Sequence, residues 1–181
     1  MSLVVALAIT IGVMGGIATF AVLGPLVVLN LQIWAMFLAW ACFYHTGGKE
    51  AGLKTTITNN VFGAVMAWVA LLMITHIPLG ASLGLPAWAG ICVGATVFVL
   101  ILAANIPALS VIPAGFYGYA ATAAYALVGG HLATLTSVSV LNPLIVISLS
   151  LIVGAALGYV SEKIAGSLTK PAVAAYQQRS R

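Results

Sequence analysis

Leu31-Gln-Ile-Trp-Ala-Met-Phe-Leu-Ala-Trp40-Ala-Cys-Phe-Tyr-His45-Thr-Gly-Gly-Lys-Glu50-Ala-Gly-Leu-Lys54 runs straight into Thr55-Thr-Ile-Thr-Asn-Asn60-Val-Phe-Gly-Ala-Val-Met-Ala-Trp-Val-Ala70. An apolar segment rich in aromatic rings ends at Tyr44 and His45 and turns through Gly47-Gly48-Lys49-Glu50. A second apolar segment opens at Thr58-Asn59-Asn60. About 20 mostly apolar residues cross a bilayer as a helix, so this stretch predicts two membrane spans joined by a short turn. Lys49, Glu50 and Lys54 make that turn the only charged connection between apolar segments. Asn59 and Asn60 open the second segment and read as its caps, with solute contact as the second reading.

Composition says what the solvent is. Of 181 residues 63% are hydrophobic and only 4% charged, whereas a soluble domain carries roughly 25% charge. The lipid bilayer is therefore the expected partner of this surface. A net charge of +4 is no nucleic-acid signature, because the basic residues gather on no soluble face. Cys42 and Cys92 lie in apolar runs without metal-ligand spacing and read as buried thiols. Met1-Ser2 carries no basic side chain and the apolar run from Leu3 is too long for a signal h-region, so the first helix is expected to remain.

Working outward, Gly, Pro and polar clusters divide the chain into six apolar runs: Leu3 to Leu23, Leu26 to Tyr44, Thr56 to Thr75, Trp88 to Asn105, Ile112 to Val128, and Leu144 to Glu162. Gly24-Pro25, Pro78 with Gly80, Pro86, and Gly129-Gly130 interrupt the helical ladder between runs. Asn142-Pro143 is a helix start, a side-chain cap followed by a residue with no N–H to satisfy. The predicted fold is all-α, a polytopic membrane domain of six transmembrane helices over 1–165, with a short cytoplasmic tail over 166–181.

All six Lys and Arg fall in two places, the second connection (Lys49, Lys54) and the C-terminal part (Lys163, Lys170, Arg179, Arg181). With six spans these lie on one side of the membrane, and the positive-inside rule makes it the cytoplasmic side. Both termini are then cytoplasmic.

Two echoes point to a 3+3 inverted repeat, as in many transporters and channels. Gly63-Ala-Val-Met-Ala-Trp-Val matches Gly154-Ala-Ala-Leu-Gly-Tyr-Val, and Phe37-Leu-Ala-Trp40 matches Phe116-Tyr-Gly-Tyr119. Small residues four apart recur at Gly12 and Gly16, Gly63 and Ala67, Gly90 and Gly94, Ala114 and Gly118, and Gly154 and Gly158. They let helix backbones approach closely, and their number predicts a homo-oligomer.

No Asp, Glu, Lys or Arg lies near the middle of any run, so coupling to protons or ions is disfavoured. Glu50 and Glu162 read as solvated flanks. What remains inside is neutral: Asn30, Gln32, Asn105 and Ser110, with an aromatic stripe of Trp34, Phe37, Trp40 and Tyr44. Such a stripe also fits simple helix packing. His45, His76 and His131 are scattered, with no metal pair and no nucleophile beside them. Neither a phosphate loop nor an acid/base constellation is present. No enzyme, cofactor or metal is expected.

The residues Trp34, Phe37, Ala39-Trp40-Ala41, Phe43, Gly47-Gly48, Gly52-Leu53-Lys54, Asn60, Gly63 and Trp68 resemble the bacterial inner-membrane family labelled domain of unknown function 1097. The resemblance spans nearly the whole chain. It implies a small, multi-pass inner-membrane protein and brings no substrate or catalytic residue.

Two classes of function fit. One is a passive channel or facilitator for a small uncharged solute of the urea, amide or alcohol type. The other is a non-transporting membrane structural or interaction subunit. For the first, Gln32, Phe37, Trp40, Asn105, Phe116 and Tyr119 are predicted to line one cavity or constriction, amides supplying hydrogen bonds and rings an apolar gate.

Overall fold

The computed structural model describes residues 1–169; most of the predicted tail, 170–181, lies outside the described residues. Within them the chain is helical throughout, with seven α-helices and no strand. These are α1 (Leu3–Leu23), α2 (Ile33–His45), α3 (Lys49–His76), the single turn α4 (Gly80–Leu83), α5 (Leu85–Leu102), α6 (Ile112–Leu127) and α7 (Pro143–Leu168). Four of them, α1, α3, α7, and α5 with its extension to Asn105, are long and apolar enough to cross a membrane. The 13 residues of α2 and 16 of α6 rise only about 20 to 24 Å, less than a bilayer's roughly 30 Å hydrocarbon core.

Several boundaries agree with the sequence and several are corrected. α1 has the predicted limits, and Asn142 caps α7 by accepting from the Leu144 N–H at 2.9 Å. The second run does not begin as a helix at Leu26. Val27–Leu29 form a 3-10 turn and Asn30 takes a left-handed φ of 52°, so α2 starts only at Ile33. The third helix starts at Lys49, seven positions before Thr56. Gly47 (φ 93°), Gly48 (φ 67°) and Lys49 (φ 58°) reverse the chain in one tight turn and leave no loop to cross. Asn59 and Asn60 are therefore not caps but buried residues in the body of α3. Pro86 sits in the first turn of α5, where its missing N–H is harmless. The fourth run ends as α5 at Leu102 and a 3-10 turn from Ala103 to Asn105.

α2, α3, α6 and α7 form the centre of the bundle, with α3 packed on α6 and α2 on α7; α1 lies against α7, and α5 against α3. Glycine makes the central crossings. A Cβ on Gly63 would strike the Gly115 carbonyl, and one on Gly118 the Asn60 carbonyl. A Cβ on Gly154 would strike the Met36 backbone, and one on Gly158 the Phe43 side chain. Contacts this close supply the dispersion and dipole attraction that lipid-solvated helices need in place of a hydrophobic drive. Gly12, Gly16, Gly90 and Gly94 behave differently: a Cβ at any of them meets no atom within 4 Å.

Candidate functional site at the broken start of α2

The left-handed turn at Asn30 leaves the carboxamides of Asn30 and Gln32 just outside α2, where no helix consumes them. Asn is the non-glycine residue that tolerates this conformation best, because its short side chain can hydrogen-bond locally. Asn30 Nδ2 donates to the Tyr125 hydroxyl at 2.6 Å and to the Val140 carbonyl at 3.2 Å. Gln32 Nε2 donates to the Asn30 carbonyl at 2.7 Å, while its Oε1 accepts from Trp34 Nε1 at 3.2 Å. The Gln32 backbone N–H donates to Ser150 Oγ at 2.9 Å and ties the group to α7.

α6 completes the site from the other side. Its last turns bring Tyr125 to the Asn30 amide, and Gly129-Gly130 (Gly130 φ 73°) then fold the chain back. His131 lands parallel to Tyr125, ring centroids 4.1 Å apart at 8°. Gly129 has to be glycine here, because a Cβ would run into the Tyr125 carbonyl and the His131 ring.

These groups border an open cavity of about 440 Å³ lined by Asn30, Gln32, Trp34, Tyr125 and His131 together with the exposed Val128. A second hollow of about 320 Å³ shares Asn30, Gln32 and Trp34 and is otherwise lined by apolar residues from Val22 to Ile33. No Asp, Glu, Lys or Arg lines the first cavity. The walls offer amide donors and acceptors, a hydroxyl, an imidazole and aromatic faces, which suits a small neutral hydrogen-bonding molecule. Among the described residues no three His, Cys, Asp or Glu side chains come together as a metal-holding group.

The six residues predicted for one passage fall in several places. Gln32 lines the amide cavity. Tyr119 lines a different and largely apolar one, of about 530 Å³ between α3, α5 and α6, and its hydroxyl lies 3.0 Å from Thr96 Oγ1. Trp40 is buried and donates to Ser161 Oγ at 3.0 Å. Phe37 lies 6.2 Å from the Trp40 ring, so these two are neighbours, but Phe37 and Phe116 are 44% and 39% exposed on the bundle surface. Asn105 is exposed and folds back on the Leu102 carbonyl at 2.9 Å.

Sequence reasoning passed over Tyr125 and treated His131 as isolated. The usable signal was the glycine pair between them, which permits a reversal tight enough to stack the rings.

A family model described as protein of unknown function (DUF1097) matches residues 8–166. No curated protein and no solved structure matches the chain.

Proposed function

Since the chain belongs to the DUF1097 family, whose function is unknown, we propose from its geometry that it is a facilitator. It takes a small uncharged solute of the urea, amide or alcohol type into the Asn30–Gln32–Tyr125 cavity and lets it cross the membrane without coupling to charge. The observation that carries this is the cavity itself: neutral amides and aromatic rings converging where a membrane helix is broken.

The wider frame of the proposal is six spans in two inverted halves, in a bacterial inner membrane with both termini cytoplasmic. The pairings support it. α2 packs on α7 as α6 packs on α3, and α1 lies on α7 as α5 lies on α3. α1 ends at Leu23 and α2 begins at Ile33; α5 ends at Leu102 and α6 begins at Ile112, the same spacing. The first echo pairs Gly63 with Gly154, and the second, Phe37–Trp40 with Phe116–Tyr119, pairs Met36 with Gly115 when extended by one residue. Gly63 seats on Gly115 just as Gly154 seats on Met36, so one contact is made twice. The two short helices, α2 and α6, then hold corresponding positions, which in inverted-repeat transporters is where the binding site is built. Lys49 and Lys163 sit at one end of the bundle, joined through Glu162 and Tyr159, and the amide cavity lies at the other end. By the positive-inside rule the cavity faces away from the cytoplasm.

The test is swelling of proteoliposomes in a panel of neutral solutes, with empty liposomes as the baseline. Faster entry of at least one amide or alcohol is expected. Impermeability to every member would favour the other reading, a structural or interaction subunit, for which the outward glycines of α1 and α5 would be the contact surface.

A further inference from the structure

We infer that the way from the amide cavity to the cytoplasmic end runs between α2, α3 and α6, past Thr122, Asn60 and Cys42. This rests on the facilitator reading and adds the route to it.

Of four buried side-chain polar atoms without a partner among the described residues, two mark the route; the others, Thr10 Oγ1 on α1 and Ser148 Oγ on α7, lie off it. Thr122 Oγ1 on α6 and Asn60 Nδ2 on α3 are fully buried, and neither has a hydrogen-bond partner among the described residues. A buried donor or acceptor left unmade costs stability, and in a protein solvated by lipid there is no nearby water to relieve it. A packing role alone would be served better by Val and Leu of the same shapes. The two helices touch at this point, since the Gly118 backbone lies against the Asn60 carbonyl. Thr122 is one turn further along α6, and Tyr125, at the wall of the cavity, is next on the same face.

Below Asn60 the polar groups continue to the cytoplasmic end. Cys42 Sγ on α2 lies 3.6 Å from Asn60 Oδ1. Thr56, one turn back on α3, is buried and sits 3.0 Å from the Thr46 hydroxyl at the α2–α3 turn, where Thr46 is partly exposed. α2 presents Ala35, Ala39 and Cys42 at spacings of four and three on one helix face, between Gln32 just before the helix and Thr46 just after it. Its middle is small, with Ala35 and Ala39 packed against Ala121 and Leu151. That packed layer lies between the cavity and the Asn60–Cys42 pair, and passage along the route requires it to move aside. A solute that displaced it would meet an unused amide donor and an unused hydroxyl, then a thiol and two hydroxyls, all neutral.

Cys42 is a built-in reporter, and Cys92 on α5 is its control, because both are completely buried but only Cys42 is on the route. In reconstituted protein, a small water-soluble methanethiosulfonate reagent is added to Cys92→Ala, which keeps Cys42, and to Cys42→Ala, which keeps Cys92. Modification of Cys42 is expected to be faster by about tenfold or more, and Asn60→Leu in the first protein should slow it by a similar factor, about what one hydrogen bond is worth. Thr122→Val is the second variant, should Asn60→Leu fail to fold. Equal rates at the two cysteines, or a Cys42 rate indifferent to both substitutions, would overturn the route. Labelling of Cys42 without flux of any solute would remove the facilitator reading and leave the route standing; flux with Cys42 as protected as Cys92 would do the reverse.

Discussion

The Glu162 carboxylate of α7 accepts a hydrogen bond from the Lys49 backbone N–H at 2.7 Å, and so closes the first turn of α3. The first N–H groups of a 28-residue helix have no partners inside the helix, and the macrodipole places positive potential there. α3 has no side-chain cap of its own, because its N-cap is Gly48. An acid from another helix does the capping, and fastens the α2–α3 turn to α7. Glu162→Ala is therefore expected to lower stability by about 1 kcal/mol or more, read as a lower unfolding temperature in detergent. Glu162→Gln should fall between, since an amide oxygen still accepts. Unfolding temperatures that match the parent in both variants would show that α3 does not depend on this contact.

The helix crossings make a sharper comparison. Gly63→Ala and Gly154→Ala each place a methyl group inside a partner's backbone, so each is expected to cost about 1 to 3 kcal/mol through forced separation of the helices. Gly12→Ala and Gly90→Ala meet open space and should be neutral, or gain up to about 1 kcal/mol from lost glycine flexibility. All four belong to the same sequence pattern of small residues four apart. Equal effects at all four would refute the division between inward and outward glycines.

That division shows what was legible and what was not. Hydropathy placed α1, α6 and the start of α7 to within a residue, because their ends coincide with Gly, Pro or a capping Asn. It missed the break before α2, since Leu26 to Leu29 are apolar and Asn30 reads as a polar residue within the span, while the backbone turns there. It started α3 late for the opposite reason: Lys49 to Lys54 are polar, yet they continue the helix in the membrane-flanking zone. Gln32 was legible as a candidate because a neutral amide inside an apolar run must find partners. Tyr125 and His131 were not, because their stacking depends on the turn at Gly129-Gly130, which no periodicity reports.

Association of copies is expected along the outward glycine faces of α1 and α5. Gly16→Leu and Gly94→Leu should leave stability within about 0.5 kcal/mol of the parent, as surface changes usually do, while abolishing the crosslinked oligomer. Native mass spectrometry in mild detergent checks the starting point. A parent protein that is monomeric at every concentration would end the idea.

The cavity can be tested by separating what Asn30 does for the backbone from what its amide does for a solute. At φ 52° an alanine costs roughly 1 to 2 kcal/mol, whereas glycine adopts this conformation freely. Asn30→Gly should therefore keep the turn, the start of α2 and the unfolding temperature, yet lose the donor to Tyr125. Asn30→Ala should lose both. Tyr125→Phe removes the hydroxyl that Asn30 binds at 2.6 Å and keeps the ring that stacks on His131. With a solute that the parent protein carries, Asn30→Gly and Tyr125→Phe are each expected to slow entry about tenfold, on the order of one hydrogen bond. Asn30→Ala should be slower still and less stable. If Asn30→Gly and Tyr125→Phe carry that solute at the parent rate, the amide cavity is not where it binds.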